Sequence, residues 1–322
     1  MRYFSETNIF ELGINWSNII EAIKDATHLL KEKDFSQPVK PYLRYRDLKN
    51  RIIAMPAFIG GEFDVSGIKW IASFPDNIHN GIARAHSTII LNEANTGKPK
   101  AIFNTALVSA IRTAAVTGSV ISDYIEKNDI TSKMNFGIIG FGPIGKQHLD
   151  LIINLYGDKI ENIYLYDLRP INMDDIPEAF QSKVIITNGW EEVFDSSDIF
   201  MTCTVSKNRY INKKAKKPGL YLNVSLRDFD APFMKEVDVM VVDDWEEVNR
   251  ENTDIEFMHL KHGLEEKNVH TIVDVLCNNK LANSLGKVVM FNPMGMAVYD
   301  MAVCSYFFNL AESKNVGVLL ED

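Results

Sequence analysis

Cysteine is scarce in this chain. Cys203, Cys277 and Cys304 are the only three in 322 residues, and no two stand at metal-ligand spacing. That argues against a disulfide scaffold and a cysteine-rich metal site, and it predicts free thiols in a reducing cytoplasm with no bound metal. Basic residues are outnumbered, with 34 Lys and Arg against 43 Asp and Glu, a net charge of −9. A nucleic-acid partner needs a basic face, so that class is disfavoured. Long hydrophobic runs are missing as well. The most apolar stretch, TALVSAIRTAAVTGSVI (Thr105–Ile121), is broken by Arg112 and Gly118, which does not suit a membrane span. The opening MRYFSETNIFELG is amphipathic and carries acids, unlike a secretory signal. The expectation is a cytoplasmic protein with no membrane contact.

What is present suits two domains with their own cores, since single cores stop growing near about 250–300 residues. WSNIIEAIKDATHLLKEK (16–33) repeats apolar positions at helical spacing. RIIAMPAFIG and SGIKWIASF read as strands around a Gly-Gly turn, and STIILNEANTGKPKAIFN as a hairpin around Asn95–Lys98. Thr105 is available to cap a helix over the stretch that follows. From Lys133 the texture changes. KMNFGIIG, NIYLYD, KVIITN, IFMTCTV, GLYLNVS and VDVMVVDD are strand-length apolar runs, many separated by helix-like or polar segments. That pattern predicts a parallel α/β sheet. A final helix, AVYDMAVCSYFFNLAES, is expected to leave this sheet and pack back on the first domain. The fold class is therefore α/β: a Rossmann-type parallel-sheet domain over residues 123–301, and a smaller α+β domain from residues 1–122 and 302–322.

FGIIGFGPIGKQHLDLIINL holds Gly140, Gly142 and Gly145 in a GxGxxG pattern, followed by Asp167 at the end of the next strand, 22 residues after Gly145. Strand, glycine loop, helix and acid together form the dinucleotide fingerprint. Gly140 permits the tight turn, Gly142 admits a pyrophosphate, and Gly145 lets helix and strand close up. Pro143 and Ile144 complete the loop. Asp167 can accept both ribose hydroxyls, which favours NAD, while Arg169 leaves NADP as the lesser alternative. Thr202, Cys203 and Thr204 end the IFMTCTV strand and would sit at the sheet's carboxyl edge, where ligands of open α/β folds bind.

Several charges stand in apolar surroundings. Arg112 is the one charge in its seventeen-residue stretch, and Lys69 lies between Ile68 and Trp70 on a predicted strand. An arginine keeps its proton in water, so its burial calls for an anion. Arg44 and Arg46 flank Tyr45 just ahead of the first strand. These cations on one domain, with a hydride acceptor on the other, suggest a carboxylate-bearing substrate between them, since a guanidinium fork clamps a carboxylate. A lysine desolvated near other cations can exchange protons near neutrality. NVSLRDFDAPF places Asp228 and Asp230 after another strand, where one of them could position water or hold an amine. Of the seven histidines, only His86 draws attention, and a structural role suits it better.

MPAF, GIKW, AIRTAA, GFGPIG, the Asp228 loop and MGMAVYD resemble the ornithine cyclodeaminase/mu-crystallin family over nearly the whole chain. The resemblance implies enzymes that use NAD(P) on amino and imino acids and form homodimers through their substrate domains. KPYLR, RIIAMP..IGG, SGIKWI, VVDDW...NRE and NPMGMA are similar to one branch of the family. That branch serves siderophore formation, oxidising an amino diacid with NAD and hydrolysing the resulting imine to L-2,3-diaminopropionate and 2-oxoglutarate. By position, the resemblance implies Lys69 as an acid/base group, Asp228 as the acid near the reacting amine, and Arg112 and Arg44 on the substrate α-carboxylate. It implies Arg84 on a further carboxylate, the loop glycines and Asp167 on the dinucleotide, and Met294–Gly295 near the nicotinamide. One departure stands out: SLRDFDAPF replaces the glycine-rich Asp-Cys-Pro loop of the ornithine-converting members, which argues against ornithine cyclisation.

Overall fold

The computed structural model describes residues 1–321. The chain divides into two compact units, Met1–Ala115 with Gly295–Asp322 and Val116–Met294. Both divisions fall earlier than the sequence suggests. The first lies inside the Leu107–Lys127 helix and the second in the turn between strand Val288–Asn292 and helix Ala297–Lys314. An uninterrupted helix carries no local mark of where its packing partners change, so the sequence could not show the first one.

In the first unit the strands run in the order Val318–Leu319, Arg2–Phe4, Pro99–Phe103, Ala85–Glu93, Val65–Ser73, Arg51–Ile59 and Phe35–Ser36, with Tyr42–Leu43 also on Arg51–Ile59. The three long central strands pair antiparallel along their nine-residue lengths, and this register sets Lys69 opposite Met55 on one side and Ile89 on the other. The helical periodicity of residues 16–33 becomes helix Trp16–Glu32, capped by the Asn15 side chain and burying Ile19, Ile20, Ile23, Ala26 and Leu30. The final helix does pack back on this unit. Every residue from Ala297 to Ser305 is buried, as befits a helix covered all round. It lies against the central strands and the Trp16–Glu32 helix, to which Tyr299 OH is joined by Thr27 Oγ1 at 3.0 Å.

The second unit is an eight-stranded sheet in the order Val184–Ile186, Ile160–Tyr166, Met134–Ile139, Ile199–Thr202, Gly219–Asn223, Val288–Asn292, Val239–Val242 and His270–Thr271. All its pairings are parallel. Strands Ile199–Thr202, Gly219–Asn223 and Val239–Val242 are buried at every position, which is why they read as unbroken apolar runs. Strand order reverses between Met134–Ile139 and Ile199–Thr202, the topological switch point at which open α/β sheets form a binding crevice. No helix among the described residues is long and apolar enough to cross a membrane.

Candidate active site

At the switch point the first strand ends in Gly140, whose φ is +90°. A side chain there would stand 2.6 Å from the Cys203 carbonyl. The Cys203 N–H donates to Ile139 O at 2.7 Å, and this close pairing brings Thr202–Thr204 beside the loop. Gly142 caps helix Pro143–Tyr156 without a side-chain acceptor, and a Cβ added to it would meet nothing within 4 Å. A Cβ on Gly145 would collide with Gly140 O. Asp167 braces the loop, its Oδ2 accepting from Phe141 N at 2.7 Å and its Oδ1 from Arg169 N at 2.8 Å. Arg169 Nε also approaches Oδ1 at 3.5 Å, and Oδ2 keeps a lone pair for a ribose hydroxyl. A bare glycine floor, a helix N-terminus with no side-chain cap and an adjoining acid fit a dinucleotide pyrophosphate and its ribose.

Farther along the same edge the Asp228 carboxylate is fully buried. Thr204 Oγ1 donates to its Oδ1 at 2.5 Å, and Ser225 Oγ bonds its Oδ2. Burial pushes its pKa up to about 6, against the lowering effect of the Thr204 bond. The loop is pinned from beneath by Asp254, also fully buried. Its Oδ2 accepts from Asp228 N, Phe229 N and Asn223 Nδ2 at 2.9–3.0 Å, and its Oδ1 from Arg209 Nε at 2.7 Å. Nothing in the sequence marked Asp254, which sits among the charges of RENTDIEF like a solvated helix start. Asp230 has a local task instead, accepting from Ala231 N at the head of a short 3-10 helix.

Cys203 is no nucleophile, because burial, and then the Asp228 charge, hold its thiol far above the ordinary range. Its sulfur lies 3.8 Å from His148 Nδ1, a contact that sequence reading missed. His148 Nδ1 faces the Ile144 carbonyl at 2.8 Å and Nε2 faces Thr117 Oγ1 at 2.6 Å. A carbonyl only accepts, so Nδ1 carries the hydrogen. Burial presses this imidazole down to about 4, and it stays neutral.

The first unit gathers its buried charges around one carboxylate. Lys69 Nζ donates to Asp300 Oδ2 at 2.7 Å and Arg112 Nε to Asp300 Oδ1 at 2.9 Å. The three side chains are 2%, 7% and 0% exposed, so neither pair is screened by water. Ser109 Oγ lies 3.4 Å from the ammonium. Buried Lys40 donates to Gly295 O at 2.7 Å. Gly295 has φ +89°, and a Cβ there would press on Arg112 Nη1 at 2.8 Å, so glycine lets the guanidinium lie against the backbone. Two cations thus share a single acid, and Lys40 adds a third positive charge felt by Lys69. Burial first, and then the Arg112 charge, lower the Lys69 pKa to about 7, with Asp300 opposing and Lys40 reinforcing the fall. Asp300 and Lys40 escaped the sequence reading, although Asp300 was the one acid in an apolar run and so mirrored Arg112.

The other expected residues lie elsewhere. Arg44 Nη1 donates to Leu48 O at 2.9 Å, and its guanidinium stands 5.3 Å from the Tyr42 ring centre, which Arg51 approaches at 5.7 Å. Arg84 Nη2 donates to Ser73 Oγ at 3.2 Å. Met294 N donates to Asp243 Oδ1 at 3.0 Å. His86 is exposed on its strand.

Comparison with known proteins agrees with this architecture. The family model described as ornithine cyclodeaminase/mu-crystallin matches residues 5–315. The chain is 32% identical to an N-((2S)-2-amino-2-carboxyethyl)-L-glutamate dehydrogenase of Staphylococcus aureus, over 99% of this chain and 98% of that protein. It is 26% identical to an alanine dehydrogenase of Archaeoglobus fulgidus, over 94% and 93%. A Thermococcus litoralis Δ1-pyrroline-2-carboxylate reductase, solved with NADH and L-proline, superposes with a TM-score of 0.85 at 21% identity, covering 99% of this chain and all of that one. The dehydrogenase fold, the fingerprint loop and the match over almost every residue lead to one assignment: the chain belongs to the ornithine cyclodeaminase/mu-crystallin family.

Proposed function

We propose that the protein is an NAD-dependent dehydrogenase that oxidises N-(2-amino-2-carboxyethyl)-L-glutamate and hydrolyses the product imine to L-2,3-diaminopropionate and 2-oxoglutarate, as a step of siderophore formation. The observation that carries this reading is the buried group in which Lys69 and Arg112 share one acid, Asp300, with Lys40 buried near them, an arrangement that calls for a substrate carboxylate. The Staphylococcus aureus relative supports the particular substrate.

Arg112, with Arg44, takes the carboxylate beside the reacting carbon, and Arg84 takes a more distant one. Lys69, in its neutral form, accepts the extra proton of the substrate's protonated secondary amine, since nitrogen must offer a lone pair before the Cα–H bond breaks. NAD, when bound, supplies a hydride acceptor for that Cα–H. Asp228 then positions a water and takes its proton as the oxygen adds to the imine carbon. Lys69 returns its proton to the departing nitrogen as the carbon–nitrogen bond cleaves, and the hydroxyl oxygen, losing its own proton to the freed amine, becomes the keto oxygen of 2-oxoglutarate. The loop Gly140–Gly145, Asp167, Thr202–Thr204 and Met294–Gly295 hold the dinucleotide. Homodimer formation and a cytoplasmic location are part of the same reading, and sedimentation measurements of mass in solution together with cell fractionation test them.

The decisive experiment incubates the purified protein with NAD and each candidate amine, following NADH absorbance and product mass. NADH formation with equal amounts of 2-oxoglutarate and diaminopropionate is expected. Turnover of alanine or proline alone would instead align the chain with its alanine dehydrogenase or pyrroline-carboxylate reductase relatives. Asp167→Ala is expected to weaken NAD about tenfold and NADP less, because Asp167 repels a 2′-phosphate; an equal loss on titration of both would overturn the NAD preference.

A further inference from the structure

We propose that Asp300 is a positioning residue for this reaction: a buried counter-charge that fixes the separation of Lys69 and Arg112 and leaves the outer donors of both for the substrate carboxylate. The inference rests on the proposed function for the reaction's identity, but its geometry is independent of it. Asp300 spends one oxygen on Lys69 Nζ and the other on Arg112 Nε. Binding arginine through Nε leaves the Nη1–Nη2 edge, and neither of those nitrogens has a protein acceptor among the described residues. Gly295 backs that edge closely. The ammonium uses two of its donors, on Asp300 and Ser109. Asp300 itself cannot swing, because the turns of helix carrying it are buried all round and Tyr299 beside it is bonded to Thr27.

The charge environment of Lys69 is asymmetric. Arg112 and Ser109 face it from the Leu107–Lys127 helix, Asp300 and Cys304 from the final helix, and Lys40 from the segment before strand Tyr42–Leu43. Its strand neighbours across the sheet, Met55 and Ile89, are apolar. Burial holds the Cys304 thiol protonated, so Asp300 is the one negative charge in this company. Without it, Lys69 would face the Arg112 charge with no carboxylate between them and would hold its proton far more weakly.

The test compares Asp300→Asn and Asp300→Glu with the wild type. Lysine Cε resonances of carbon-13-labelled protein are titrated by NMR, with Lys69 assigned by the signal missing from Lys69→Met. No substrate is required. The wild-type midpoint is expected near 7. In Asp300→Asn the proton affinity of Lys69 should fall at least about tenfold, one pH unit, with NAD affinity unchanged. Asp300→Glu retains the charge on a longer arm, so the midpoint should hold while KM for the proposed amino-acid substrate rises about tenfold and kcat changes less. An unmoved Lys69 midpoint in Asp300→Asn, a midpoint that falls in Asp300→Glu, or an unchanged KM in Asp300→Glu would each overturn the proposal. If N-(2-amino-2-carboxyethyl)-L-glutamate proves not to be a substrate but the midpoint moves as stated, the counter-charge stands and the assigned reaction fails.

Discussion

The two buried charge groups solve opposite problems. Around Asp300 a single carboxylate is outnumbered by cations, whereas around Asp228 the carboxylate meets hydroxyls and no cation among its closest partners. Desolvation disfavours charge in both places, but it acts on groups of opposite sign. It drives the lysine down to about 7 and the aspartate up to about 6. A base and an acid that differ by several pH units in water are thereby brought within about one of each other, close to neutrality, where proton transfer is most effective. The partners decide what each group can hold: surplus positive charge suits an anion, while a carboxylate set among hydroxyls suits a proton in transit.

The largest effect is expected from breaking the first group at Lys69. Lys69→Met keeps the length and apolar stem, leaves Asp300 to Arg112, and should lower kcat about a thousandfold or more while circular dichroism shows an intact fold. In the wild type, kcat/KM should decline as pH falls below about 7 and more steeply below about 6, as each base becomes protonated. A flat profile across that range would remove both assignments.

Asp228→Asn should follow, lowering kcat about a hundredfold. Its stability effect has a definite sign. The folded pKa is raised, so the carboxyl favours the fold fully only below its unfolded value near 3.8 and loses that advantage as pH rises through about 6. At pH 8 the neutral asparagine escapes the penalty, and thermal melting should show a gain of about 1 kcal/mol. A loss at pH 8 would mean that the hydroxyl bonds outweigh desolvation.

A smaller change is expected from Arg112→Lys. It keeps a positive charge near Asp300 but removes the planar fork, so KM for the proposed substrate should rise about tenfold with NAD binding untouched. An unaltered KM would reduce Arg112 to a partner of Asp300.

Much of this was legible in the chain. Alternation and helical spacing located the long strands and helices, and the fingerprint loop lay in continuous sequence. Arg112 and Lys69 stood out because each is a charge in apolar company. What stayed hidden was the pairing. Asp300 lies 188 residues from Arg112, and only packing of the final helix joins them. Lys40 sat in a proline-flanked segment that reads as a loop, and Asp254 was camouflaged by neighbouring charges. His148 occupies the second turn of an amphipathic helix, where its burial against Thr117 depends on long-range contacts.

Lys69 stands at the middle of a strand zipped to a neighbour on each side, whereas Arg44 lies in coil beyond a two-residue strand and Arg84 just ahead of another strand's first residue. Rigid interior sequence changes little without cost, while connecting segments drift readily. On the proposed reading, a change in which carboxylate-bearing guest is welcomed would be written in the segments that carry Arg44 and Arg84, generation after generation, and would leave the paired interior around Lys69 undisturbed.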